Sequence, residues 1–131
     1  MIFVDTGAWF ASAVPADVNH GAARTWLSAN SEPLLTTDYV IDETLTLLKS
    51  RGHTPTAIEM GEGFFSGKLA RIILISEIDL QQAWTIFRQF HDKEWSFTDC
   101  TSKAVIDRLK LQRAFSFDQH FRQFGSVQVV P

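Results

Sequence analysis

Short apolar runs at residues 2–4, 34–37, 72–75, 114–117 and 127–130 alternate with stretches whose apolar residues recur at helical period. The helical patterns cover about 7–14, 19–29, 38–50, 55–66, 79–92 and 98–112. Thr54-Pro55 has the cap-then-proline order of a helix start, and Gly52 and Gly67 stand where helices stop. Strands this short and apolar, separated by helices, belong in a mostly parallel sheet covered on both faces. Ligands of such open sheets bind beyond the carboxyl ends of the strands, near the point where strand order reverses. The residues that follow each strand are therefore the ones to examine.

The 131 residues are the size of one domain spanning 1–131, with no repeat, linker or low-complexity tract. Hydrophobic residues make up 45% and charged residues 21%, which excludes both a disordered chain and a membrane-embedded one. The apolar segment 2–14 lacks a preceding basic region and is interrupted by Asp5, so it is not expected to be a signal peptide. The single Cys100 forms no internal disulfide, and the expected location is the cytoplasm. A net charge of -3 offers no global attraction to a polyanion, but acids gathered around a bound cation would reverse that locally.

Asp5 follows the first strand and precedes the apolar Ala8-Trp9-Phe10, where an uncompensated charge is costly. Its plain structural role is to cap the next helix, with Thr6 beside it. In the helix TTDYVIDETLTLLKS, Val40, Ile41, Thr44, Leu47 and Leu48 form one stripe; Asp42 falls nearly opposite it and Glu43 at its margin. In WSFTDCTSKAVIDRLKL, Ser96-x-x-Asp99 fits a capping box, with Thr98 as another cap, and Asp99 lies at the edge of the inward stripe. Asp118 follows the run 114–117 as Asp5 follows the first strand, and its structural role would again be a cap.

Four carboxylates brought to one sheet edge would repel and raise one another's pKa unless divalent ions shared them. Hard oxygen donors suit Mg²⁺ or Mn²⁺, and no His or Cys pair stands at zinc spacing. His20, His53, His91 and His120 read as surface or supporting residues, with His120 nearest to a candidate acid.

The order strand-Asp5-Thr6, Glu43 within a helix, Ser96-Phe97-Thr98-Asp99, then strand-Ser116-Phe117-Asp118 resembles the PIN-domain nucleases, and in length and spacing the VapC-type ribonuclease toxins. The resemblance covers the whole chain. It implies a three-layer α/β/α fold around about five parallel strands. It further implies that Asp5, Glu43, Asp99 and Asp118 ligate Mg²⁺ or Mn²⁺ and catalyse RNA phosphodiester hydrolysis, with Thr6, Ser96 and Thr98 as supporting hydroxyls. A small antitoxin and a second copy of the chain are the implied partners, and no membrane is involved.

Lys49, Arg51, Lys103, Arg108, Lys110 and Arg113 are candidate phosphate contacts; Lys103 and Lys110 lie nearly on the helix line of Asp99. The spacing of Trp84, Phe87 and Phe90 indicates core or subunit interface rather than base stacking. Trp9, Phe10, Phe64 and Phe65 are candidates for a partner groove. Two other classes compete with a nuclease. Receiver and haloacid-dehalogenase folds require a second acid at the first strand, where Asp5-Thr6-Gly7 supplies one. A noncatalytic binding module would be expected to lack one of the four acids.

Overall fold

The computed structural model describes residues 1–131. Its five strands are β1 (Ile2–Val4), β2 (Leu34–Thr37), β3 (Arg71–Ile73), β4 (Arg113–Phe115) and β5 (Gln128–Val130). They pair in the order β3-β2-β1-β4-β5, every pair parallel, with Ile2 opposite both Leu34 and Arg113. Successive side chains of a strand point to opposite faces, and Ile2, Phe3 and Val4 are all fully buried, so β1 is covered on both sides. The result is the expected three-layer α/β/α sandwich.

The helices are α1 (Thr6–Ala13), α2 (His20–Ala29), α3 (Asp38–Ser50), α4 (Thr54–Phe65), α5 (Glu77–Gln89), α6 (Phe97–Leu109) and the short α7 (Gln119–Gln123). Gly52 and Gly67, with φ of 81° and 77°, terminate α3 and α4 in a conformation that costs a side-chain-bearing residue energy. In α3 the core takes Val40, Ile41, Thr44 and Leu48, Asp42 is exposed and Glu43 half-buried, as the periodicity indicates. The buried face of α6 is broader than its expected stripe, running from Asp99 through Ile106, because the helix packs against both α5 and α3. Trp84 and Phe87 stack at 5.9 Å on the outer face of α5, 53% and 41% exposed, so they are not core.

Two strands end earlier than their apolar runs. β3 stops at Ile73, and the Ile75 amide instead donates to Asp38 Oδ1 at 2.9 Å, which ties the end of β3 to the start of α3. β4 stops at Phe115; the Ser116 amide still donates to the Val130 carbonyl of β5 at 3.0 Å, and the chain then runs on through Phe117 to Asp118, outside the ladder.

A second long-range clamp holds α5 to α6. Asp79 is nearly inaccessible and receives Arg108 Nε on Oδ1 at 2.7 Å and Arg108 Nη2 on Oδ2 at 3.0 Å. Burial pushes this carboxyl up, but the guanidinium and the Ser76 amide and hydroxyl outweigh it and hold it below its ordinary value of 3.8. Its charge therefore supports the fold above that value, and the support disappears as the pH falls through the lowered one. Arg108→Met should cost about 1–3 kcal/mol at pH 7 by stranding the buried acid. Urea midpoints of the two proteins should converge on acidification below the ordinary carboxyl range; a constant gap would show that the pair is not the source.

Candidate active site

The strand order places β1 between β2, which follows it, and β4, which the chain reaches only after crossing back. The carboxyl ends of β1 and β4 thus flank the topological switch point, where an open parallel sheet leaves a crevice. A cleft of about 600 Å³ lies there. Asp5 enters it from the end of β1, Asp118 from the turn after β4, Asp99 from the first turn of α6 and Glu43 from α3. Thr6, Ser96, Phe117, His120 and Arg51 also line it, as do Asp17, Asn19 and Glu94.

Each acid following a strand is fixed by a capping bond. Asp5 Oδ1 accepts from the Thr6 amide at 2.7 Å, and Asp118 Oδ1 accepts from the His120 amide at 2.9 Å. Asp99 and Ser96 form the expected capping box, the Ser96 amide donating to Asp99 Oδ2 and the Asp99 amide to Ser96 Oγ, both at 3.0 Å. Ser116 joins two of these acids: its hydroxyl donates to Asp5 Oδ2 at 3.0 Å and accepts from the Asp118 amide at 3.0 Å. His120 Nδ1 faces the other pair, 3.1 Å from Asp99 Oδ2 and 3.4 Å from Asp118 Oδ1.

The electrostatics are unfavourable without a cation. Asp5 is 5% exposed; burial, then the charge of Asp99 and more weakly that of Asp118, push its carboxyl up to about 7 against the pull of Ser116 and Thr6. Asp99, 7% exposed, is raised as well, by burial and by Asp118, despite the Ser96 amide and His120. Ligand atoms of Asp99, Asp118 and His120 lie within 4.8 Å of one another. Thr6 Oγ1 is buried with no hydrogen-bond partner. A donor set of carboxylate and hydroxyl oxygens with a single imidazole fits Mg²⁺ or Mn²⁺. Cys100 adds nothing to it, since burial pushes its thiol up to about 11.

All four acids expected from sequence share this cleft, together with Thr6, Ser96 and Arg51. Thr98 does not line it; it is half-buried, and its carbonyl accepts from the Thr101 hydroxyl. Lys49 is exposed near the end of α3. Lys103 is engaged by Asp107 at 2.8 Å, and Arg108 by Asp79. Lys110 follows α6 and faces another cavity, at the opposite edge of the sheet, with Arg71 and Arg113, and Arg113 pairs with Glu32. Phe10 lines the cleft, Trp9 and Phe64 are core, and Phe65 is exposed. Sequence reasoning gave Ser116 no role and His120 a minor one. The signal was the every-second-residue spacing of Ser116 and Asp118 in chain that stays extended through Asp118, which turns both toward the same acids.

The profile of the PIN domain matches residues 2–127. The chain belongs to the PIN-domain family. It is 33% identical over 135 residues to the 23S rRNA-specific endonuclease VapC20 of Mycobacterium tuberculosis, covering 100% of this chain and 99% of that one. It is 31% identical over 123 residues to a VapC ribonuclease of Archaeoglobus fulgidus, covering 90% of this chain and 77% of the relative. The crystal structure of M. tuberculosis VapC20, described as a sarcin-ricin loop cleaving toxin, superposes with a TM-score of 0.93 at 31% identity over the full length of both chains. FitAcB from Neisseria gonorrhoeae shares the fold, with a TM-score of 0.71 at 17% identity, covering 100% of this chain and 97% of that one. Within its family the chain is a VapC-type ribonuclease, the toxin of a toxin-antitoxin module. The receiver and dehalogenase alternatives are thereby set aside.

The raised Asp5 has a measurable consequence in metal-free protein. Between the ordinary value of 3.8 and about 7 the folded state holds a proton that the unfolded chain releases, so stability falls as the pH rises through that window and levels off above it. Thermal unfolding in EDTA should show the wild type less stable at pH 8 than at pH 5.5. Asp5→Asn should remove much of that decline and exceed the wild type at pH 8. Parallel curves for the two proteins would mean that the Asp5 charge is not what strains the fold.

Proposed function

We propose that Asp5, Glu43, Asp99 and Asp118 hold Mg²⁺ or Mn²⁺ in the cleft and that this site hydrolyses a phosphodiester in a structured loop of 23S rRNA. The observation that carries the reading is the meeting of Asp5, Asp99 and Asp118, from three segments distant in sequence, at the switch point of the sheet. A divalent ion bound there would polarise a scissile phosphate and lower the pKa of a water molecule. The residues supply position: Ser116 keeps Asp5 and Asp118 in register, the capping box fixes Asp99, and Glu43 reaches the cleft from α3. The Thr6 amide and the Ser96 amide and hydroxyl support the acids beside them, whereas the Thr98 side chain takes no part in these bonds.

The likeness to a 23S rRNA-specific endonuclease along the whole chain supports the substrate class. RNA must be held locally, because the chain carries net charge -3. Arg51, on the cleft wall, and the exposed Lys49 come first as phosphate contacts. Lys103, one helical turn after Asp99 but paired with Asp107, and Lys110, on the wall of another cavity, come after them. The exposed Trp84–Phe87 face of α5 is the proposed homodimer surface, and the groove lined by Trp9, Leu27, Met60 and Leu69 the proposed antitoxin seat. No helix is long and apolar enough to cross a membrane, and the proposed location is the cytoplasm.

Purified ribosomes incubated with the protein and Mg²⁺ or Mn²⁺ should give one cleavage in 23S rRNA by primer extension. EDTA should abolish it, and Asp99→Asn or Glu43→Gln should slow it about 100-fold or more while circular dichroism stays unchanged. Cleavage that persists in EDTA would overturn the metal mechanism. Cuts scattered along the RNA would overturn the substrate class.

A further inference from the structure

We infer that His120 is itself a ligand of the divalent ion, through Nδ1, so that the site is a mixed nitrogen-oxygen centre that favours Mn²⁺ over Mg²⁺. The inference rests on the reading that the cleft holds such an ion. His120 Nδ1 lies 3.1 Å from Asp99 Oδ2 and 3.4 Å from Asp118 Oδ1. Neighbouring ligands of an octahedral ion with bonds of about 2.1 Å stand about 3.0 Å apart, and opposite ones about 4.2 Å. All three ligand atoms fall within 4.8 Å of one another, so one ion can touch each after small side-chain adjustments. A single Nδ1–H also cannot satisfy two carboxylates equally well, and an imidazole lone pair facing both is repelled unless a cation stands between them.

The ring is held where this requires. The His120 backbone amide is tied to Asp118 Oδ1 at 2.9 Å, and Phe121, the next residue, is fully buried against Phe3 of the central strand. The capping bonds leave Asp99 Oδ1 and Asp118 Oδ2 without protein partners, so these carboxylates keep donors to spare for the same ion. Imidazole suits transition metals, whereas Mg²⁺ takes oxygen, and this donor difference gives the site a preference that four carboxylates alone would not.

The test needs no activity measurement. Protein loaded with Mn²⁺ and studied by electron spin-echo envelope modulation should show ¹⁴N coupling of a directly bound imidazole. Of the four histidines only His120 lines the cleft, so the coupling should vanish in His120→Ala. By calorimetry, that variant should lose about tenfold in Mn²⁺ affinity and much less in Mg²⁺ affinity. Bound Mn²⁺ with oxygen-only coordination in the wild type would overturn the inference while leaving the proposed function intact. Equal losses for both ions would likewise overturn it, reducing His120 to a group that positions Asp99. Absence of any bound Mn²⁺ would instead remove the proposed function itself. Because the first measurement uses the wild type, a variant that failed to fold would not blunt it.

Discussion

The structure turns on three carboxylates that the sheet forces together at its switch point. Asp5 and Asp118 are the N-caps of α1 and α7, and Asp99, the third residue of α6, closes the capping box with Ser96, so their positions are set by the same bonds that start these helices. Helix N-termini favour negative charge, which offsets part of the cost of burying Asp5 and Asp99 beside Asp118. Capping is therefore not a rival to the proposed catalytic role of these residues. The cap aims the carboxylate, and the carboxylate's remaining capacity faces the cleft.

Asp79 shows how differently the same local chemistry can end. Ser76-x-x-Asp79 and Ser96-x-x-Asp99 form identical capping boxes at the starts of α5 and α6, and both acids are buried. Arg108 holds the first below its ordinary pKa, whereas the second is raised, with Asp5 and Asp118 as neighbours and only a histidine opposite. One is neutralised within the protein and braces two helices. The other is left strained until something outside the chain supplies positive charge, and strain of that kind concentrates at functional sites.

This pair also marks the boundary of what the sequence made legible. Strand positions, parallel pairing and helix spans followed from hydrophobic period, because buried parallel strands are short apolar runs and their crossover helices carry a clear 3.6-residue pattern. The ends of β3 and β4 did not, since Ile75 and Phe117 are apolar for packing reasons while their backbones have already left the ladder. Local pattern could assign Asp99 its cap but could not distinguish it from Asp79, because the deciding neighbours lie 94 and 19 residues away along the chain in one case and 29 in the other. The family resemblance, carried by the order of four acids, supplied that long-range information. Ser116 received no role and His120 a minor one because two residues of alternating spacing after β4 gain meaning only from the acids they meet, and Asp5 and Asp99 lie 111 and 21 residues away along the chain.

The charge of the cleft imposes an order on binding. Asp5, Asp17, Glu43, Glu94, Asp99 and Asp118 line it against Arg51 and His120, so the protein alone presents a surface that repels phosphate. A divalent ion held there, as proposed, would reverse the sign where the acids converge, and its effect on the affinity for RNA would equal the effect of RNA on the affinity for the ion. On the proposed reading, substrate capture would depend on this patch and the cations beside it more than on the net charge of the whole chain. On that reading, a chain of net charge -3 acts on a polyanion because the fold gathers its acids at one edge, where a bound cation would convert their excess into attraction.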